Sequence, residues 1–146
     1  MRAVLQRVNK ASVIVEGKVI AQIGQGLLIL LGATSKDSNE DCKYLADKCL
    51  NLRIFEDEQG KMNLSALDIG AELLVVSQFT LYADSRKGRR PSFTSALEPN
   101  LAEKLYLEFI SLLKESKLKV EQGIFGAKMA VELTNWGPVT LILDSK

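Results

Sequence analysis

Leu27-Leu28-Ile29-Leu30-Leu31 is an unbroken apolar run. Such a run reads as a strand buried on both faces. Working outward, Ala3 to Val8 and Ala11 to Val15 read as two strands upstream. Glu16-Gly17 supplies a turn into a third strand, Lys18 to Ile23, which makes a hairpin. Downstream, Ser38 opens a helix, with Asp41 three residues on in a capping-box arrangement. Cys42, Leu45, Ala46, Cys49 and Leu50 then recur at helical spacing and give one apolar face. Arg53 to Phe55 reads as a short strand ended by the turn Asp57-Glu58-Gln59-Gly60. Leu73 to Phe79 is a strand with polar residues at its end. Leu101 to Leu113 is a second helix with an inner stripe of Leu101, Leu105, Phe109, Leu112 and Leu113. Lys117 to Glu121, Lys128 to Leu133 and Val139 to Leu143 read as three final strands. The order is strands, helix, strands, helix, strands, with no repeat or linker. The fold class expected is one α+β or layered α/β domain over residues 1–146, a large mixed sheet covered by two helices.

The composition suits that fold. The 146 residues are enough for one domain with its own core, and 47% hydrophobic with 25% charged is ordinary globular usage. A net charge of +1 argues against bulk nucleic-acid binding by charge alone and leaves a local basic patch open. The two cysteines, Cys42 and Cys49, lie about 10 Å apart along one helix, too far for a disulfide. They read as free, buried thiols in a reducing compartment. The chain has no histidine. That removes a Ser-His-Asp triad, a Cys-His pair and a His-ligated zinc site. Chemistry here must come from carboxylates, hydroxyls, backbone amides or the substrate itself. No apolar run is as long as a membrane span, and Met1-Arg2-Ala3-Val4-Leu5-Gln6-Arg7 is too polar for a signal peptide. A cytoplasmic location is expected.

Four stretches and one arginine carry candidate chemistry, each with two readings. Ser77, Gln78, Phe79 and Thr80 sit where an apolar strand ends. They either satisfy a turn or present backbone N–H groups to a ligand, with Thr80 as an orienting hydroxyl. A threonine without a base is a poor nucleophile. Gly137-Pro138 is either a strand-entry turn or a rigid pair that aims carbonyl oxygens in one direction. An X-Pro bond is also where a cis peptide costs little. Arg86, Lys87, Arg89 and Arg90 form either a solvated loop or a phosphate-contact loop, with Phe93 nearby as a stacking surface. Phe125 and Met129, within a Gly-aromatic stretch, are either hairpin core or a wall for a flat ligand. Arg7 in the first strand is either exposed or pins a neighbouring loop through its guanidinium fork.

Taken together, Ser-Gln-Phe-Thr-Leu at 77 to 81 and Asn-Trp-Gly-Pro-Val-Thr at 135 to 140 resemble the signature motifs of the D-aminoacyl-tRNA deacylases. The start Met1 to Val8 is similar to that family, as are Asn51-Leu52-Arg53-Ile54-Phe55, Gly60-Lys61-Met62-Asn63, Arg90-Pro91-Ser92-Phe93 and Phe125 to Met129. The resemblance covers essentially the whole chain. It implies a layered β/β/α domain with a barrel-like sheet, and hydrolysis of the ester joining a D-amino acid, or glycine, to the terminal adenosine of tRNA. It implies a homodimer in which Gly137 and Pro138, as a cis pair, enter the partner's pocket and reject L-amino acids. Ser77, Gln78, Phe79 and Thr80 would line that pocket. Arg7, with Asn135, would support the Gly-Pro loop. Phe125 and Met129 would border the adenosine, and Arg86, Lys87, Arg89 and Arg90 would meet tRNA. No metal or cofactor is implied, and the substrate's own 2′-hydroxyl would stand in for a protein base. Related deacylases have a trans Gly-Pro and accept L-alanyl substrates. A non-catalytic tRNA-binding module is the other alternative. Trp136, at the variable motif position, has no role assigned by the sequence.

Overall fold

The chain is described here by a computed structural model covering all 146 residues. Its elements are β1 (Arg2–Val15), β2 (Lys18–Ile23), β3 (Gly26–Gly32), α1 (Asn39–Asn51), β4 (Phe55–Glu56), β5 (Met62–Leu64), α2 (Ala66–Ile69), β6 (Glu72–Ser77), α3 (Pro99–Lys114), β7 (Val120–Gln122) and β8 (Ala130–Asp144). A 3-10 turn at Phe79–Tyr82 follows β6.

The expected pair of strands at the start is one strand, β1. Its first half pairs antiparallel with β3, from Arg2↔Gly32 to Val8↔Gly26, and its second half with β2, from Ala11↔Ile23 to Val15↔Lys18. Asn9-Lys10 marks a change of partner and not a break, because β8 runs along the other edge throughout. The expected strands at 128–133 and 139–143 are likewise one strand, β8, interrupted only locally. Gln6 pairs with Thr140 while Val8 pairs with Asn135, so extra residues of β8 bulge out across from Arg7. Those residues contain Pro138, which has no N–H to give to a ladder.

β3 pairs parallel with β6 and β6 parallel with β7, so the sheet is mixed. It curls until β2 approaches β7, where Lys119 Nζ reaches the Gln22 carbonyl at 3.1 Å and Glu72 at 3.0 Å. The result is a mixed α+β domain whose sheet nearly closes into a barrel. Leu27, Ile29 and Leu31 face the larger core under α1 and α3, while Leu28 faces the smaller core inside the curl. β3 is therefore buried on both faces, as its composition indicates.

The helices follow from their caps and stripes. Ser38 and Asp41 close the capping box of α1, the Ser38 N–H donating to Asp41 Oδ2 at 2.8 Å. Cys42 and Cys49 are buried and unpaired. Burial pushes the Cys42 thiol up to about 11 and the Cys49 thiol up to about 12, so both remain neutral packing groups. In α3 the buried stripe is Leu105, Tyr106, Phe109, Ile110 and Leu113. Leu101 is 50% exposed. The first turn of α3 overhangs a cavity through Ala102 instead of meeting the core. The short strand expected at 53–55 is shifted to β4. The three-residue β5 and the one-turn α2, the latter capped by Ser65 and Asp68, are too short to leave a periodic signal in the sequence. No helix is long and apolar enough to cross a membrane.

Candidate functional site

Two neighbouring parallel strands, β3 and β6, end side by side, and beyond them lies a cavity of about 620 Å³. Ligands commonly bind beyond the carboxyl ends of parallel strands because the chain must leave the sheet there. Ser77, Gln78 and Phe79 form one wall, and Phe125 and Met129 another. The first turn of α3, from Glu98 to Ala102, closes a third side. Most of the lining is apolar.

The turn after β6 explains the first wall. Ser77 ends the ladder opposite Leu31, and the Gln78 N–H donates to the Leu31 carbonyl at 2.8 Å. The chain then tightens into the 3-10 turn, whose first bond runs from the Leu81 N–H to the Gln78 carbonyl at 3.2 Å. The N–H groups of Phe79 and Thr80 lie ahead of that bond, where a helical turn has no acceptor of its own. The Gln78 side-chain amide donates to Thr80 Oγ1. Thr80 itself is outside the cavity lining.

Tyr106, which no sequence motif singles out, braces this site from below. Its hydroxyl donates to the Val75 carbonyl at 2.9 Å, and its ring meets Phe125 at 5.8 Å. Burial holds its phenol above the usual tyrosine range, so it acts as a neutral donor. Its helical spacing from Ala102 and Ile110 is the one signal that could have found it. Gly123 lets the Met129 side chain lie close, since an added Cβ would meet its sulfur at 2.6 Å.

A second cluster lies elsewhere on the chain. Gly137 and Pro138 are exposed, and the bond between them is cis. Arg7 is 1% exposed and spends its whole guanidinium on their surroundings. Nε donates to the Trp136 carbonyl at 2.9 Å, Nη1 donates to the Ile54 carbonyl at 2.8 Å, and Nη2 lies 3.6 Å from Glu56. The Trp136 ring lies beside the same cation, 4.5 Å from ring centre to guanidinium carbon. Trp136 thus covers Arg7 in its own chain. Asn135 closes the loop from inside: its Oδ1 accepts from the Val139 N–H at 2.8 Å, and its Nδ2 donates to Thr140 Oγ1 at 2.9 Å. The Arg7 and Asn135 contacts make the Gly-Pro knuckle a rigid projection.

The knuckle does not reach the cavity of its own chain. None of Arg7, Asn135, Gly137 and Pro138 lines that cavity. Arg7 pairs with Leu27, while Gly32 at the cavity pairs with Arg2. That leaves about 16 Å of strand between them at ~3.3 Å per residue.

The basic loop is a third place. An isolated bridge between Asp84 and Ser92 closes it. Arg86 folds back onto Asp84 with two contacts of 2.9 and 2.8 Å, and holds that carboxyl well below the usual carboxylate range. Lys87, Arg89 and Arg90 are exposed and make no ion pair. The geometry therefore groups Ser77, Gln78, Phe79, Phe125 and Met129 at one pocket with donors at its wall, suited to binding a small acyl or nucleoside group. It sets the knuckle apart from it, and the basic loop meets it only through Phe93 at the loop's base.

Comparison with known proteins places the chain in a family. Residues 4–144 match the family model described as D-Tyr-tRNA(Tyr) deacylase. A D-aminoacyl-tRNA deacylase from Thermosipho africanus is 62% identical over 146 residues, covering 100% of this chain and 98% of the relative. One from Aquifex aeolicus is 59% identical, covering 100% and 99%. Among solved structures, one titled c-Myc DNA Unwinding Element Binding Protein superposes with a TM-score of 0.94 at 43% identity, covering 100% of this chain and 99% of that one. A probable eukaryotic D-amino acid tRNA deacylase shares the fold at a TM-score of 0.84 and 18% identity, with 97% of each chain covered. The chain belongs to the D-aminoacyl-tRNA deacylase family.

Proposed function

We propose that this protein is a hydrolase that cleaves the ester of D-aminoacyl-tRNA, and of glycyl-tRNA, releasing the amino acid and tRNA in the cytoplasm. The observation that carries this reading is the separation of a donor-walled cavity from a braced, exposed Gly-Pro knuckle on the same chain. A second copy of the chain, docked as a homodimer, would bring its knuckle to the cavity. Gly137 and Pro138 carbonyls would then face the substrate's ammonium group and leave no room for an L side chain. A backbone wall judges direction and tolerates any side chain of the permitted hand.

The ester is already activated, so little machinery is required. Water adds to the acyl carbon, the bond to the ribose 3′-oxygen breaks, and that oxygen leaves with a proton. The N–H groups of Phe79 and Thr80 are suited to the developing oxyanion, a contribution typically of several kcal/mol in water-poor sites. Ser77 and Gln78 position the acyl group, and Thr80 orients through Gln78. Phe125 and Met129 border the adenosine. The neighbouring 2′-hydroxyl serves as the proton carrier, consistent with a chain that contains no histidine. The largely apolar lining strengthens the pull of the Phe79 and Thr80 N–H groups on the developing charge.

Comparing hydrolysis of D-Tyr-, L-Tyr- and Gly-tRNA tests the proposal. D-Tyr and Gly esters should be cleaved and the L-Tyr ester spared. Cleavage of L esters would favour an L-selective relative, and binding without cleavage would favour a tRNA-binding module.

A further inference from the structure

Phe79 and Phe93 are both conspicuously open for aromatic residues, at 57% and 42% exposure. They touch each other edge to face, 5.2 Å between ring centres, and both stand at the cavity. Phe79 opens the turn after β6, while Phe93 follows the Asp84–Ser92 bridge that closes the basic loop. Lys87, Arg89 and Arg90 therefore emerge from the same loop whose base carries Phe93. Arg86 is neutralised by Asp84, so these three are the cations left free on the loop.

The two rings pack edge to face on each other and leave ring surface open at the cavity. Aromatic faces beside unpaired cations are the combination that holds single-stranded nucleic acid, bases on the rings and phosphates on the cations. Resting on the function proposed above, we propose that Phe79 and Phe93 form a stacking platform for the nucleotide preceding the terminal adenosine. Lys87, Arg89 and Arg90 then take the phosphates that continue away from the cavity. The platform holds a flexible single strand and leaves the acyl end free to enter the pocket. It reads no base identity, because stacking tolerates every base.

The test compares two D-tyrosyl esters, one on adenosine alone and one on the trinucleotide CCA. Wild-type protein should favour the trinucleotide in kcat/KM. In Phe93→Leu that preference should shrink about tenfold, the equivalent of one base stack removed, and Phe93→Trp should restore it. Neutralising Lys87, Arg89 and Arg90 together should flatten the salt dependence of CCA-ended RNA binding, by about 0.7 in log-log slope for each phosphate no longer neutralised. A Phe93→Leu variant whose kcat/KM falls by the same factor on both esters would overturn the platform and leave Phe93 as cavity wall. If wild-type protein cleaves neither ester, the catalytic reading fails separately. The platform is then judged by binding of uncharged CCA RNA. Equal affinity for wild type and Phe93→Leu rejects it, and a tenfold weakening supports it.

Discussion

Arg7 and Gly137 show how little space the knuckle leaves. Gly137 has φ 135, a conformation L side chains rarely adopt, and an added Cβ would lie 2.8 Å from Val139 Cγ2 and 3.0 Å from Arg7 Nη2. Gly137→Ala is expected to cost about 1–3 kcal/mol in urea unfolding. It should lower D-Tyr-tRNA turnover much further than that, since the knuckle itself is displaced. A folded variant with full turnover would remove the knuckle from the mechanism. The Thr80 hydroxyl meets the Gln78 amide, and the residue lies outside the cavity lining. Thr80→Ala should keep measurable turnover, with KM changing more than kcat. Complete loss with RNA binding intact would instead identify a nucleophile. The sequence offers Arg7 two fates, exposed or pinning. The structure selects the second, because its three nitrogens meet three acceptors from two segments, Trp136 of β8 and the Ile54 to Glu56 stretch. Glu56 is invisible in the sequence, as nothing in its local pattern distinguishes it from a surface carboxylate.

At the scale of elements, legibility follows the range of the forces involved. The double-faced burial of β3 and the capping box of α1 are local or periodic signals, and both are readable. The continuity of β1 and β8 is not, because it depends on each strand pairing with the other across more than a hundred residues. Cavity residues from β6 and from the loop after β7 are readable as motifs. Phe93 is named by the sequence as a stacking surface beside the basic loop, while Tyr106 joins the cavity only through tertiary packing. The start of α1 also carries a pH dependence. Burial raises the Asp41 carboxyl's pKa, but hydrogen bonds from Ser145, Lys146 and Ser38 outweigh this and leave it well below the usual value. A lowered folded-state pKa stabilises the protein above the unfolded value of about 3.9, and that share disappears as pH falls through the folded value. Asp41→Asn is therefore expected to lower stability in urea at pH 7, by about 1 kcal/mol for the weakened cap. The gap to wild type should narrow toward about pH 2, below the unfolded carboxyl's range. An unchanged gap across that range would mean that the Asp41 charge contributes nothing.

On the scale of the whole molecule, β8 is an edge strand with its outer face uncovered. It pairs only with β1, and Ile142 is 67% exposed on it, with Leu133 also open. An unpaired strand edge with an open Ile142 is a hazard unless something covers it. On the proposed function, a second copy covers it and delivers its knuckle in the same act. Ile142→Lys should then shift sedimentation toward monomer and reduce turnover in parallel, with the monomer's circular dichroism unchanged. Retention of a dimer with full activity would put the contact elsewhere.

The distance between knuckle and cavity along one chain has a genetic consequence. Each working pocket would be assembled from two polypeptides, so a lesion at Gln78 and a lesion at Gly137 would complement each other within a single gene. A chain crippled at Gln78 and a chain crippled at Gly137 are each inert alone. Refolded together, their hybrids collect both defects in one pocket and leave the other whole, and D-Tyr-tRNA cleavage should return. A pocket built from a single polypeptide could not be rescued in this way.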